Sequence, residues 1–511
     1  MNFLKELESR FSESNTNTGT KNDQVTETSP ATTDTQQTFF EFARNALHDL
    51  GLNIYSNDEY GTWIVRYRGT KKGLDFDNEV VRYGRSLIAD AKTHETLMVA
   101  PPKSWMYEDF RKAHPDMSEV QVEDFPSGPM VNTFYHNGDG NGNEGGKWMM
   151  STRSYVGAEN NFRSTKSFKT LFEECFKNAT GLTFEQASQD FDKNLTYSWV
   201  VQHPDFLDVI RPTEPILYLV EVRDRQNGHL LYDLSKVESN FQQKGNWKIK
   251  FPKRRSFQTW DDVDKFVNEQ PCDDQGLVFR YNQERAKVRN PEFINARVLL
   301  GNHSKTLEMY AENRQNGTMK EFLSYFPDFG VDFQGLEHYV EQLAVEIHGY
   351  YLAANTRPKQ DRIDFRTEIP QSLQTICFNI HQDYWNSGTD SKSRKPVQLE
   401  TVRKYIDKMP HIYLANMIYS HKEEQKNTST KLDNLQKMRQ TAEQHHQVHY
   451  KKNPKHVTKN QPPQRANSLN TSMDTPVFNV VIDTNPHSYA NVAKSVPVES
   501  AHTTENDLHE S

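Results

Sequence analysis

Cysteine is scarce: Cys175, Cys272 and Cys377 are the only three in a chain of 511 residues. They are too few and too scattered for a disulfide framework or a cysteine-rich zinc site, which points to a reducing compartment. Long apolar runs are missing too. No segment approaches the roughly 18 apolar residues of a membrane helix. The opening MNFLKELESRFSESNTNTGT lacks the apolar core of a signal peptide, so an intracellular protein without membrane contact is expected. Apolar residues make up only 35% of the chain, and mean hydropathy is −0.87. A globular chain usually reaches roughly 45–50%. A net charge of −8 excludes a uniformly basic nucleic-acid coat.

The polar excess is concentrated at the ends. Residues 13–37 are mostly Ser, Thr, Asn, Asp and Gln and cannot bury enough surface to offset chain entropy. The first dozen residues, with Phe3, Leu4, Leu7 and Phe11, form either a short amphipathic helix or a frayed tail. Residues 422–465 carry ten Lys/Arg against four Asp/Glu, and residues 466–511 carry one against six. Such a basic-then-acidic tail either adds salt-sensitive affinity for nucleic acid or is merely solvated. His445, His446, His449 and His456 lack regular ligand spacing, so no metal site is expected there. PVFNVVID (476–483) is a candidate docking strand for a protein partner.

Between the tails the pattern changes twice. TFFEFARNALHDLG (38–51) reads as a capped helix. Runs rich in Val, Ile, Tyr, Phe and Trp follow at 63–68, 120–125, 130–136, 147–154, 197–204, 216–224 and 275–281. Helices are predicted at 167–181 and 259–269. The block at 38–290 is therefore an α+β domain of mostly antiparallel strands. HNGDGNGNEGG (136–146) is not a phosphate loop, because no Gly-Lys-Ser/Thr follows. It is not a calcium loop either: Glu144 stands at the sixth position and Met150 at the twelfth. A hairpin is the expectation. From 294 the apolar spacing becomes helical, at 294–315, 319–327, 335–354, 373–385 and 397–419. IHGYY (347–351) and IHQDYW (380–385) form a weak repeat, and His348 and His381 are read as hydrogen-bonded helix-interface residues more readily than as a site.

The order of these segments over residues 50–425 resembles the covalent nucleotidyltransferases, in particular the phage RNA ligase 1 branch and ligase-like proteins of large DNA viruses. FDNEVVRYGRSLIAD (76–90) puts Arg85 at the family's arginine before a short strand. VEDFPSGPMVNTFY (122–135) resembles the segment of the nucleotide-accepting lysine, whose Lys-x-Asp-Gly reads here Phe125-Pro126-Ser127-Gly128. KWMMSTRSYVG (147–157) places Arg153 at a basic position, and the third motif falls at 197–222, where the family supplies a Glu near Val200. CDDQGLVFRY (272–281) carries Gln275 for the Glu of Glu-Gly, and RAKVRNPEF (285–293) resembles the final Lys-x-Lys strand with Lys287 and Arg289.

The resemblance implies a mostly antiparallel nucleotidyltransferase (ATP-grasp-like) domain followed by an all-α domain, with disordered termini. The expected boundaries are 1–37 tail, 38–290 nucleotidyltransferase-like, 291–425 helical and 426–511 charge-segregated tail. It further implies ATP, magnesium and RNA-end chemistry through a lysine phosphoramidate. The departures fall on that chemistry. Phe125 has no nucleophilic atom, and Ser127 and Gln275 are neutral where carboxylates would stand. Arg85, Arg153, Lys287 and Arg289 keep the charge that attracts phosphate. The expectation is an RNA-ligase-like protein that binds nucleotide or RNA ends without covalent adenylation. The alternatives are an active ATP-dependent RNA ligase with a displaced nucleophile such as Lys147, and a structural, virion-associated scaffold.

Overall fold

A computed structural model describes residues 3–18, 38–68, 73–138, 145–231, 234–243, 247–390 and 393–429. The described residues divide into two units: those up to Phe365 with Thr375–Ile418, and Arg366–Gln374 with those at 419–429. In the second, the Glu424 carboxylate accepts from the backbone N–H (3.0 Å) and hydroxyl (2.8 Å) of Ser372.

Among its described residues the first unit carries three four-stranded antiparallel sheets. The first is β1 (Leu52–Asn57), β2 (Thr62–Tyr67), β3 (Leu87–Asp90) and β4 (Thr96–Val99), in chain order. The second and third interleave in sequence. They contain β5 (Gln121–Asp124), β6 (Met130–His136), β7 (Lys147–Ser151), β8 (Leu195–Gln202), β9 (Ile216–Asp224), β10 (Arg254–Arg255), β11 (Gly276–Tyr281) and β12 (Glu284–Arg289). The second sheet runs β10-β5-β11-β12 and the third β7-β6-β8-β9. The hairpin expected at the glycine-rich stretch is present, with His136 opposite Lys147, although its tip at 139–144 lies outside the described residues.

Each sheet buries one face under helices. The helix Phe39–Asp49 starts with a Thr38–Glu41 capping box, and its Ala43 and Leu47 pack on β1 and β2. The helix Phe168–Thr180, capped by Ser167 and ended at Gly181, inserts Phe172 and Phe176 against Trp199 of the third sheet. The helix Trp260–Glu269, capped by Thr259, covers Leu277 and Phe279 of the second. Each fully buried side chain of this size contributes roughly 1.5–3 kcal/mol. Ile64, Ile88, Met98, Phe134 and Met149 form a further core between the first and third sheets.

Two differences from the sequence reading concern the ends. The N-terminal helix runs Phe3–Thr18, past the expected start of the tail, because Leu4 and Leu7 are buried against the first sheet and anchor it. Residues 422–429 are helical, whereas 430–511, including the basic stretch beyond 430 and 476–483, lie outside the described residues. The helical region comprises Pro291–Leu300, Thr306–Asn316, Met319–Tyr325, Gly330–Asn355, Gln371–Asn386 and Leu399–Asp407. The single helix expected at 294–315 is broken at Gly301, which has φ +62°. That expected at 397–419 is broken at Pro410, which has no N–H to continue the ladder, and helix resumes at His411. His348 Nε2 lies 3.2 Å from the Val397 carbonyl, and His381 takes the Trp385 indole N–H at 2.8 Å. The two histidines thus have separate partners. Among the described residues no helix is long and apolar enough to cross a membrane.

Candidate functional site

The second sheet has two unlike faces. Val122, Leu277, Phe279, Ala286 and Val288 pack under the helix Trp260–Glu269. Side chains alternate along a strand, so Gln121, Glu123 and Phe125 on one side, and Arg285, Lys287 and Arg289 on the other, share the opposite face. The Arg285 guanidinium lies 5.9 Å from the Phe125 ring centroid, the Lys287 ammonium 6.0 Å and the Arg289 guanidinium 5.6 Å. A partly buried aromatic ring is therefore met by three cations of one strand, each at cation–π distance. Arg85 is close enough to Arg285 that its charge helps hold the Arg285 guanidinium below its ordinary value. Burial is the first cause, and the result is a pKa of about 10.

Phe125 also lines a cavity of about 810 Å³ between the second and third sheets. Gln121, Glu123 and Asp124 of β5, Ser127, Gln202, Tyr218 of β9 and Asp273–Gln275 form part of its wall. Lys250, paired with Tyr218 of β9, Lys253, just before β10, and Arg254, the first residue of β10, add to it. Two glycines permit this close approach of strands. A Cβ on Gly128 (φ +142°) would lie 2.2 Å from the Val201 carbonyl oxygen, and one on Gly276 (φ +127°) 2.2 Å from that of Val288. No side chain fits at either position.

Beneath the cavity a buried charge network ties the two sheets together. Arg280 of β11 donates to Glu123 of β5 (2.8 Å) and to Glu221 of β9 (2.7 Å). Glu221 also accepts from Arg223 at 2.8 and 3.0 Å and lies 3.4 Å from Arg285 Nε. Burial would raise the Glu221 carboxyl, but the arginines, Arg280 foremost, outweigh it and hold it far below the usual carboxylate range.

Ser127 is buried and donates to Asp208 Oδ2 at 2.7 Å, while Asp208 Oδ1 accepts from Arg297. Nearby, Arg163 is 3% exposed and donates to the Gly301 carbonyl, whereas its Nε and Nη1 have no hydrogen-bond partner. Burial and the Arg297 charge lower its pKa to about 10.

Lys287 and Arg289 thus stand together at Phe125, with Arg85 close to Arg285. Arg153 sits in the exposed turn after β7, where Ser151 pairs with Val156. Lys147 is exposed at the start of β7, 5.7 Å from the Tyr60 ring, and does not line the cavity. Gln275 is buried on the cavity wall. Sequence reasoning missed Arg285, Asp124 and Asp274, each one or two positions from a residue it singled out. Asp124 is paired with Arg255 at 2.7 Å, and burial raises the Asp274 carboxyl, with Asp124 nearby adding to the effect. With Glu123 and Asp273 they are acidic residues of the cavity wall, and Arg255 and Arg280 already pair with Asp124 and Glu123.

No family model matches the chain, and no curated protein matches it. Among solved structures it is similar to an archaeal ATP-dependent RNA ligase, at 12% identity over 58% of this chain and 71% of that one, with a TM-score of 0.35. A putative ATP-dependent DNA ligase from Aquifex aeolicus matches at 14% identity over 62% and 79%, with a TM-score of 0.33. A Naegleria gruberi RNA ligase mutant with ATP and manganese matches at 10% over 38% and 57%, with a TM-score of 0.30. The chain spans under two thirds of the Naegleria protein's length.

Proposed function

We propose that this chain is a ligase-like protein that holds a nucleotide or a phosphorylated RNA end without bonding to it covalently. The observation that carries this reading is the meeting of Arg285, Lys287 and Arg289 at Phe125, all within 6.0 Å of its ring centroid. Cations of this kind bind phosphate, and an aromatic face stacks a base. A phenyl ring cannot form a phosphoramidate, so the position that would carry AMP in an active ligase serves here as a binding surface. The motif order supports the same reading. RNA is the proposed partner, and ATP with magnesium belongs to the reading only if chemistry survives.

The test compares 5′-phosphorylated and 5′-hydroxyl RNA of one sequence by fluorescence anisotropy over a salt series. The phosphorylated form binds more tightly. Lys287→Ala/Arg289→Ala weakens it and reduces the salt slope by about 1.4, at roughly 0.7 per phosphate contact on a single strand. Equal affinity of wild type and double variant overturns the reading. ATP labelled on the α-phosphate leaves no detergent-stable band. A labelled band that disappears in Lys250→Ala or Lys253→Ala would instead establish covalent adenylation and overturn the non-covalent reading, since those two amines line the cavity.

A further inference from the structure

Gly301 ends the helix Pro291–Leu300 with a positive φ and turns the chain so that His303 meets the next helix, Thr306–Asn316. His303 Nε2 lies 2.6 Å from Glu312 Oε2, and its Nδ1 lies 3.7 Å from Glu308. His411, where helix resumes after Pro410, comes to the same place, with its ring centroid 6.1 Å from that of His303. One ligand atom each from His303, Glu312 and His411 lies within 4.8 Å of the others, and all three residues are half-buried.

The surrounding groups are arranged as metal ligands require. Gln315 Oε1 accepts the His411 backbone N–H at 2.9 Å and lies 2.8 Å from His411 Nδ1. Because that oxygen only accepts, Nδ1 carries the ring proton and Nε2 keeps its lone pair. An outer partner that sets the tautomer in this way is the usual companion of a ligating histidine. The Glu308 carboxylate, 3.7 Å from His303 Nδ1, is near that ring without bonding to it. Glu308 and Glu312 thus put two carboxylates beside the His303 ring. The other such group among the described residues, Glu174, His203 and Asp205, is different. Lys166 Nζ lies 2.7 Å from Glu174 and 2.9 Å from Asp205, so the protein's own ammonium takes the cation's place.

We propose that His303, Glu312 and His411 form a site for one divalent transition ion of the zinc class, with a fourth position open to water. Two imidazoles and a carboxylate suit zinc at about 2.0–2.2 Å, which sets ligand atoms about 3.3–3.6 Å apart, so the His303–Glu312 pair opens from 2.6 Å and gives up its shared proton as the ion enters. The ion ties His411 to the corner at Gly301. The Gly301 carbonyl holds Arg163, and Arg297 on the helix that Gly301 ends holds Asp208 and, through it, Ser127. The site is a brace between the helical region and the cavity wall.

The full chain, stripped with chelator, is titrated with cobalt(II) and then zinc(II). One equivalent of cobalt gives the visible absorption of a tetrahedral site, zinc displaces it, and the melting temperature rises. His411→Ala and Glu312→Gln abolish the signal. Gln315→Ala, which keeps all three ligands, weakens affinity about 10- to 100-fold, and His203→Ala leaves it unchanged. Absence of stoichiometric binding overturns the proposal. So does an unchanged cobalt spectrum in both His411→Ala and Glu312→Gln, which would move the metal to the tail histidines. Glu312→Gln is isosteric and keeps the test decisive if His411→Ala does not fold, which circular dichroism of the metal-free protein reports.

Discussion

Replacing Glu221 with Gln removes one negative charge from the buried network between the second and third sheets and leaves the shape intact. Glu221 is 1% exposed, and its two oxygens accept from Arg280 at 2.7 Å and from Arg223 at 2.8 and 3.0 Å. An amide puts an NH2 donor against guanidinium donors and leaves Glu123 as the remaining anion near three arginines. Breaking a buried pair by removing one partner costs about 3–5 kcal/mol. At about 2 °C per kcal/mol for a large unit, the melting temperature falls by about 6–10 °C. Scanning calorimetry at pH 7 measures this. The exposed pair Arg211–Asp328 is the control, and Asp328→Asn should cost at most about 1 kcal/mol. The pH dependence follows from the same geometry. The folded-state pKa of Glu221 is depressed, so its contribution is complete above the ordinary value of 4.5 and is lost as pH falls below it. Wild type therefore loses stability from about pH 5 downward, and Glu221→Gln loses less over that interval. A fall of under about 2 °C at pH 7, or parallel acid profiles for the two proteins, would refute the view that this network binds the sheets together.

Gly128→Ala forces a Cβ to 2.2 Å from the Val201 carbonyl at φ +142°, and a lower urea midpoint reports at least about 1–3 kcal/mol of strain. Gly335→Ala, in an open helical position, raises the midpoint by about 0.5–1 kcal/mol. Phe125→Ala weakens binding of phosphorylated RNA by about 1–3 kcal/mol in anisotropy titrations, whereas Phe125→Trp retains it.

What could be read from the sequence follows the range over which each signal acts. The alternation that puts Lys287 and Arg289 on one face is a property of two neighbouring residues, and it survives whatever the strand packs against. Capped helices such as Phe168–Thr180 were legible for the same reason, since Ser167 and Gly181 mark the ends within the segment itself. Arg285 lies on that same face, yet in sequence it is one more arginine. Only pairing with Arg280 and burial beside Glu221 distinguish it, and Glu221 is 64 residues away. Lys147 begins the strand that follows the motif segment, but order in sequence does not say whether a strand's first residue faces the cavity, and Lys147 does not. The cavity amines Lys250 and Lys253 come from a segment with little strand pattern. It is placed by backbone bonds of Lys250 to β9 and of Lys253 to Asp124 of β5, and no local signal marks it. His303 and His411 illustrate the same limit in the helical region. Each lies next to a helix break, at Gly301 and Pro410, and reading through those breaks as continuous helices hid the corner where the two meet. The residues that break a helical pattern were therefore the informative ones, because the chain turns there and side chains distant in sequence can converge.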